Sequence, residues 1–206
     1  IWLSESEMRA YYLPTFQTAI QQGAKTVMIN SADINGTPVH ANYDILTTLL
    51  RKELGFKGVA VTDWEDIYKL VDMHHVAATK KEAVYMAIMA GIDMSMTPND
   101  YQFTDLLIEL IKEGRIPMTR IDSSVSRILT LKYELGLFET KDTQTKYPLF
   151  GSSEHAAKSL AVASECITLL KNNKQTLPLK NKNESIFVCG PGANSLNYLN
   201  GAWTHT

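Results

Sequence analysis

Asp63 is the side chain whose setting most invites chemistry. It closes the run Lys57-Gly58-Val59-Ala60-Val61-Thr62-Asp63, an apolar stretch of strand character. By the two-residue period of a strand, Val59, Val61 and Asp63 share one face. Two valines, then a carboxylate, then Trp64 place an acid in a partly apolar mouth beside a flat aromatic ring. At the C-terminal end of a strand in a parallel α/β fold, such an acid stands where active sites are built. It can equally cap the following turn or pair with a basic neighbour, and the residues alone leave both readings open. Trp64 divides in the same way, between simple packing and a platform for the axial C–H groups of a pyranose. Trp203 offers a second ring, with core packing as its plainer role. Glu65 and Asp66 extend the acidic run but read as a solvated loop or helix start, because adjacent side chains rarely converge on one bond.

The remaining reactive residue types carry weaker patterns. His74 and His75 are adjacent, so their rings diverge rather than share a metal, and they read as an exposed loop pair. His40, His155 and His205 are isolated and take no role. Cys166 and Cys189 lack a C-x-x-C spacing and read as buried free thiols. Gly190-Pro191-Gly192 lacks the third glycine of a dinucleotide loop, and its proline removes an amide donor where a phosphate would need one, so it reads as a turn. Asn35-Gly36 is also a turn. Asn35-Gly36-Thr37 and Asn183-Glu184-Ser185 match the glycosylation pattern, which matters only in a eukaryotic secretory pathway.

The elements around Asp63 repeat. Apolar, β-prone segments fall at Lys25–Asn30, Lys57–Asp63 and Ile92–Met96, with starts 32 and 35 residues apart. Helical patterns follow each: Asp44–Leu54, Lys80–Ala90 (capped by Thr79 with Glu82) and Tyr101–Lys112. Continuously apolar strands alternating with helices indicate a parallel sheet covered on both faces. An eight-fold (β/α) barrel uses about 31 residues per unit, so three units make part of a barrel or an open sheet. Before them, Ser4 with Glu7 forms a capping-box pattern, Pro14 is expected to break or kink a helix, and Gly23 to stop one. After them, Thr119–Gly136 is helical, 139–152 is a turn-rich linker, Ser153–Leu170 is a long helix, and Ile186–Cys189 reads as a buried strand opening a second α/β domain.

The chain has 206 residues, 45% hydrophobic and 20% charged, with a formal net charge of -2. That balance supplies no basic field for nucleic acid or an anionic membrane. Runs of about 18 apolar residues, as a bilayer span needs, do not occur. Two cysteines exclude a disulfide scaffold and a four-cysteine zinc site. The start at Ile1 and the stop at Thr206 read as a processed or partial chain.

The motifs together are more specific than any of them alone. TVMINSADINGTPVHAN (Thr26–Asn42), LLRKELGFKGVAVTDWEDI (Leu49–Ile67), AGIDMSM (Ala90–Met96), RIDSSVSRILTLKYELGLFE (Arg120–Glu139) and ECITLLKN (Glu165–Asn172) resemble glycoside hydrolase family 3. The resemblance covers essentially the whole chain and is closest to the β-glucosidase and exo-glucanase branch of Bacteroidetes type. It implies an α/β fold: the C-terminal portion of a (β/α)8-like barrel over 1–138, the linker 139–152, and the beginning of an α/β sandwich over 153–206.

For the site, the resemblance implies that Asp63 is the nucleophile of a retaining hydrolase, forming a glycosyl-enzyme that water then cleaves. Trp64 and Trp203 would clamp the sugar beyond the scissile bond, with LNGAWTHT (Leu199–Thr206) bringing the second ring. Met28, Ser31 and Met94 would line the substrate site. Many family members carry Tyr where Ser31 stands, and Ser is expected to be too short to orient the nucleophile without water. The acid/base carboxyl is expected outside this chain; Asp33, the best leftover acid, is not assigned the role.

The implied activity is release of terminal non-reducing β-D-glucose from short oligosaccharides, with no metal or organic cofactor. The implied location is periplasmic or secreted. β-Xylosidase, N-acetylhexosaminidase and a non-catalytic carbohydrate-binding relative are the alternatives. A lyase or aldolase ranks lower, since no strand ends in Lys. The 206 residues alone are expected to be inactive and poorly stable, and to need the remainder of the protein as partner.

Overall fold

A computed structural model describes residues 1–99, 101–139, 147–179 and 185–201. Its contacts divide the chain into two units, Ile1–Asp142 and Thr143–Thr206.

The first unit opens on the Ser4 capping box, with both reciprocal hydrogen bonds formed. α1 (Glu5–Glu7) runs through wide turns at Met8–Tyr12 into α2 (Leu13–Gln21). Pro14 starts α2 rather than breaking it, because the first turn of a helix has no use for its missing N–H. Gly23, at φ +90°, ends the segment as expected.

β1 (Thr26–Met28) follows, then a hairpin of β2 (Asp33–Ile34) and β3 (Thr37–Pro38). Asn35 and Gly36 both take positive φ, 52° and 79°, the backbone of a tight two-residue hairpin turn. The helix Asp44–Glu53 is wound wider than an α-helix and buries Leu46, Leu49 and Leu50. It delivers the chain to β4 (Val59–Val61), which pairs in parallel with β1 in the register Thr26↔Val59 and Met28↔Val61. Gly58 is required here: a Cβ would collide with the Lys25 carbonyl, to which the Val59 N–H bonds at 3.0 Å.

The third expected strand, Ile92–Met96, is reduced to one parallel bridge between Val61 and Met94. Its amide and carbonyl groups still reach β4, through Asp93 N–H to Ala60 O (2.9 Å) and Thr62 N–H to Met94 O (3.0 Å). With no strand paired on its other side among the described residues, the ladder stays at that single bridge.

Four helices follow, α3 (Asp66–Asp72), α4 (Lys80–Ala90), α5 (Gln102–Lys112) and α6 (Met118–Glu134); α4 packs between α3 and α5, and α6 packs on β4. α4 begins where Thr79 Oγ1 accepts the Glu82 N–H at 3.2 Å. Its alanines Ala83, Ala87 and Ala90 are buried, which lets the helix lie close to its neighbours. Leu46, Ile67, Leu70, Ile92, Leu110 and Ile116 complete the core.

One buried carboxylate fastens these layers to β4. Asp93 accepts from the Ala60 N–H (3.0 Å), Ser124 Oγ (2.6 Å), Arg127 Nη1 (2.8 Å) and Arg51 Nη2. Arg51 also donates to the carbonyls of Phe56 and Gly58, and Arg120 to those of Ile88 and Ile92. Burial pulls the Arg51 and Arg120 guanidinium pKa values below their ordinary level, and Asp93 opposes that pull. A buried charge of this kind holds only when paired and hydrogen-bonded.

In the second unit, α7 (Ser153–Glu165) is capped by Ser152, and α8 is the short Leu196–Asn200. α7 stops five residues short of the expected Leu170. Ile186–Cys189 is neither a strand nor buried, and both cysteines are exposed. A strand needs a neighbour for its amides, and among the described residues of this unit there is none. Gly190–Gly192 is a turn, as its composition indicated.

Candidate active site

The candidate residues converge where β1, β4 and the bridge at Met94 end. Asp63 lies two residues beyond β4 and is half-buried. Its Oδ1 accepts the Trp64 N–H at 2.6 Å, and its Oδ2 accepts from Ser31 Oγ at 3.3 Å. Ser31 therefore reaches the carboxylate directly, contrary to the expectation that its side chain would be too short. The reason is the parallel β1–β4 pairing, continued by Ile29 N–H to Val61 O (2.8 Å), which brings the loop after β1 alongside the end of β4.

Trp64 is 38% exposed, Met28 58% and Met94 51%. Val59 and Val61, on the Asp63 face, line an apolar cavity of about 300 Å³ with Thr26, Met94 and Leu135. A second apolar cavity of about 300 Å³, between α2 and the Asp44–Glu53 helix, includes Met28. Asp63 lines neither of them. Trp203 lies outside the described residues. Asp33 sits in the hairpin, paired with Pro38.

The turn after Asp63 is tightly made. Glu65 has a left-handed backbone (φ 56°) and donates its N–H to Met96 O at 2.9 Å, while its side chain accepts from Asn99 at 2.7 Å. A non-glycine residue in that region is strained and typical of functional turns. Asp66, expected to be solvated, is 2% exposed. It stands 3.6 Å from His40 Nε2 and 2.5 Å from Lys69 Nζ. His40 is 3% exposed. Burial drives its pKa down to about 4, with Asp66 pulling the other way.

Sequence reasoning missed this pair and also missed His74, whose Nε2 lies 3.2 Å from the Ser31 carbonyl. The signal available for His40 was its place in PVHAN, one residue after a buried Val39. Among the described residues, no group of three or more His, Cys, Asp or Glu is placed to hold a metal ion, and no helix is long and apolar enough to cross a membrane.

The first unit is thus an α/β fold with a carboxylate just beyond the end of a parallel strand pair, hydrogen-bonded to a neighbouring hydroxyl. Residues 2–131 match the glycosyl hydrolase family 3 N-terminal domain, and the chain belongs to that family. The lysosomal beta glucosidase of Dictyostelium discoideum is 46% identical over 208 residues, covering 98% of this chain and 25% of that protein. A beta-xylosidase of Formosa agariphila is 38% identical, covering 93% of this chain and 28% of its own length. A crystal structure of β-glucosidase from Listeria innocua in complex with isofagomine superposes with a TM-score of 0.68 at 33% identity, over 87% of this chain and 25% of that one. The chain thus spans about a quarter of the length of these relatives.

Proposed function

We propose that the protein carrying this chain is a retaining exo-β-glycosidase that releases terminal non-reducing β-D-glucose, with Asp63 as nucleophile. The observation that supports this most is the Asp63 carboxylate itself, half-buried just beyond the end of β4, with Ser31 on one oxygen and the Trp64 amide on the other. Hydrogen bonds to both oxygens fix the plane of the carboxylate. One oxygen then attacks the anomeric carbon as the glycosidic bond breaks. The leaving oxygen takes a proton from a second carboxyl group, about 5–5.5 Å away in retaining enzymes. We assign that acid to no residue of this chain. Water, deprotonated by the same group, then cleaves the ester and restores Asp63.

In this reading Met28 and Met94 form apolar walls of the glucose site, Ser31 orients the nucleophile, and Trp64 and Trp203 flank the next sugar. Residues 1–138 are then a section of barrel wall, 139–152 a linker, and 153–206 the start of an α/β sandwich. No cofactor enters the mechanism. The proposed location is periplasmic or secreted; the Dictyostelium relative is named lysosomal, a compartment likewise outside the cytosol.

The test is kinetic. In the complete protein, Asp63→Asn should cut kcat on aryl β-glucosides at least about a thousandfold. Retained turnover would refute the assignment. The β-xylosidase relative favours a second reading, in which the terminal sugar is xylose. Rates on aryl β-glucoside, β-xyloside and β-N-acetylglucosaminide decide between the substrates, with glucoside expected fastest.

A further inference from the structure

We infer that His74 is a positioning residue for the Asp63 carboxylate, acting through the main chain at Ser31. The inference rests on Asp63 being the nucleophile and goes beyond it, to what holds that nucleophile in place.

The contact runs in two links. His74 Nε2 is 3.2 Å from the Ser31 carbonyl oxygen, and Ser31 Oγ is 3.3 Å from Asp63 Oδ2. A carbonyl oxygen only accepts, so His74 carries its proton on Nε2 and donates it there. Ser31 lies in the loop after β1, where no ladder fixes it. The loop is braced on one side by Asn30 Oδ1, which accepts the Ala32 N–H at 2.7 Å. His74 braces the other side. With the carbonyl held, the Ser31 side chain has one direction from which to meet Asp63.

The segment bearing His74 is itself built to hold still. The His74 N–H bonds to Lys69 O (2.8 Å), and those of Val76 and Ala77 both bond to Leu70 O (2.9 and 3.1 Å). His75 adopts a left-handed backbone, φ 53°, and its Nδ1 bonds to Val71 O at 2.9 Å. That conformation is unfavourable for a non-glycine residue. It reverses the chain at the end of α3 and turns His74 back toward the strand ends. The adjacency of the two histidines, unsuited to a metal site, suits this division: one secures the turn, the other reaches the site.

The experiment uses the complete protein and compares wild type with His74→Gln, His74→Leu, His74→Asn, Ser31→Ala, the Ser31→Ala/His74→Leu double variant and Asp63→Asn. The glutamine amide can replace Nε2 as donor; leucine and the shorter asparagine leave the carbonyl without it. Loss of one such hydrogen bond should lower kcat about tenfold in His74→Leu and His74→Asn with KM changed less than about twofold. His74→Gln should restore most of the rate. The double variant should be no slower than the slower single variant, since both act on one path. An unchanged kcat in His74→Leu and His74→Asn overturns the inference. So does a His74→Gln variant as slow as His74→Leu, or a double variant whose loss is the product of the two. Should His74→Leu fail to fold, the asparagine and glutamine pair carries the same comparison. Asp63→Asn separates the two levels: full activity there refutes the nucleophile assignment and with it the inference, whereas inactivity there beside unaffected His74 variants refutes the inference alone.

Discussion

Ser31 sets a short aliphatic hydroxyl against Asp63, the nucleophile proposed above. Ser31 meets Asp63 at 3.3 Å, a long hydrogen bond, so its effect should fall at the low end for a bond to a charged group. Ser31→Ala is expected to lower kcat about tenfold, corresponding to about 1.5 kcal/mol, with folding unchanged. Steady-state kinetics beside a thermal melt checks it, and an unaltered kcat would remove Ser31 from the mechanism. A second expectation concerns His40. Its folded pKa of about 4 lies below the ordinary 6.5, so the fold requires the neutral ring. Its contribution to stability is complete above about pH 6.5 and is lost as pH falls toward about 4. A melting-temperature profile across that window should fall more steeply in wild type than in His40→Gln. Equal slopes would show that His40 does not titrate with folding.

Asp93 joins β4, the Asp44–Glu53 helix and α6, and so fixes the strand that presents Asp63. Removing it leaves the largely buried Arg51 and Arg120, and the partly exposed Arg127, without their carboxylate. Asp93→Ala should therefore cost about 3–5 kcal/mol of stability, read by chemical denaturation of the complete protein, and a loss below about 1 kcal/mol would mean the cluster is hydrated. Gly58→Ala should also destabilise, because the added methyl meets the Lys25 carbonyl. Helix placement was largely legible in the sequence: the Lys80–Ala90 bounds and the Thr79 cap follow from propensity and capping chemistry alone. The Asn35-Gly36 turn was legible for the same local reason. The Asp93 cluster was not, because its partners lie 27 to 42 residues away and only the fold brings them together. The strands at Ile92–Met96 and Ile186–Cys189 were over-read. An apolar run records a wish to be buried, and a ladder forms only where a neighbour supplies amides.

At the scale of the molecule, the strand-end residues that would face a sugar are also the ones left open. Met28, Trp64 and Met94 are exposed, as are Val125, Leu129 and Tyr133 along α6. Exposed apolar surface of this extent marks a face meant to be covered. The 206-residue chain on its own is expected to bind anilinonaphthalene sulfonate and to melt without a cooperative transition. A monodisperse, sharply melting chain would contradict that. Asp63, Ser31 and Trp64, the residues proposed for the site, could be singled out because they lie in contiguous motifs. The contact of His74 with the Ser31 carbonyl could not be, because it is made between residues 43 apart that only the fold brings together. The most direct test of the central claim is covalent trapping. The complete protein treated with a 2-deoxy-2-fluoro-β-glucoside should slow to inactivity, and digestion with mass spectrometry should find one fluoroglucosyl group on the peptide carrying Asp63. A label on any other residue, or inactivation with none on Asp63, would contradict the account.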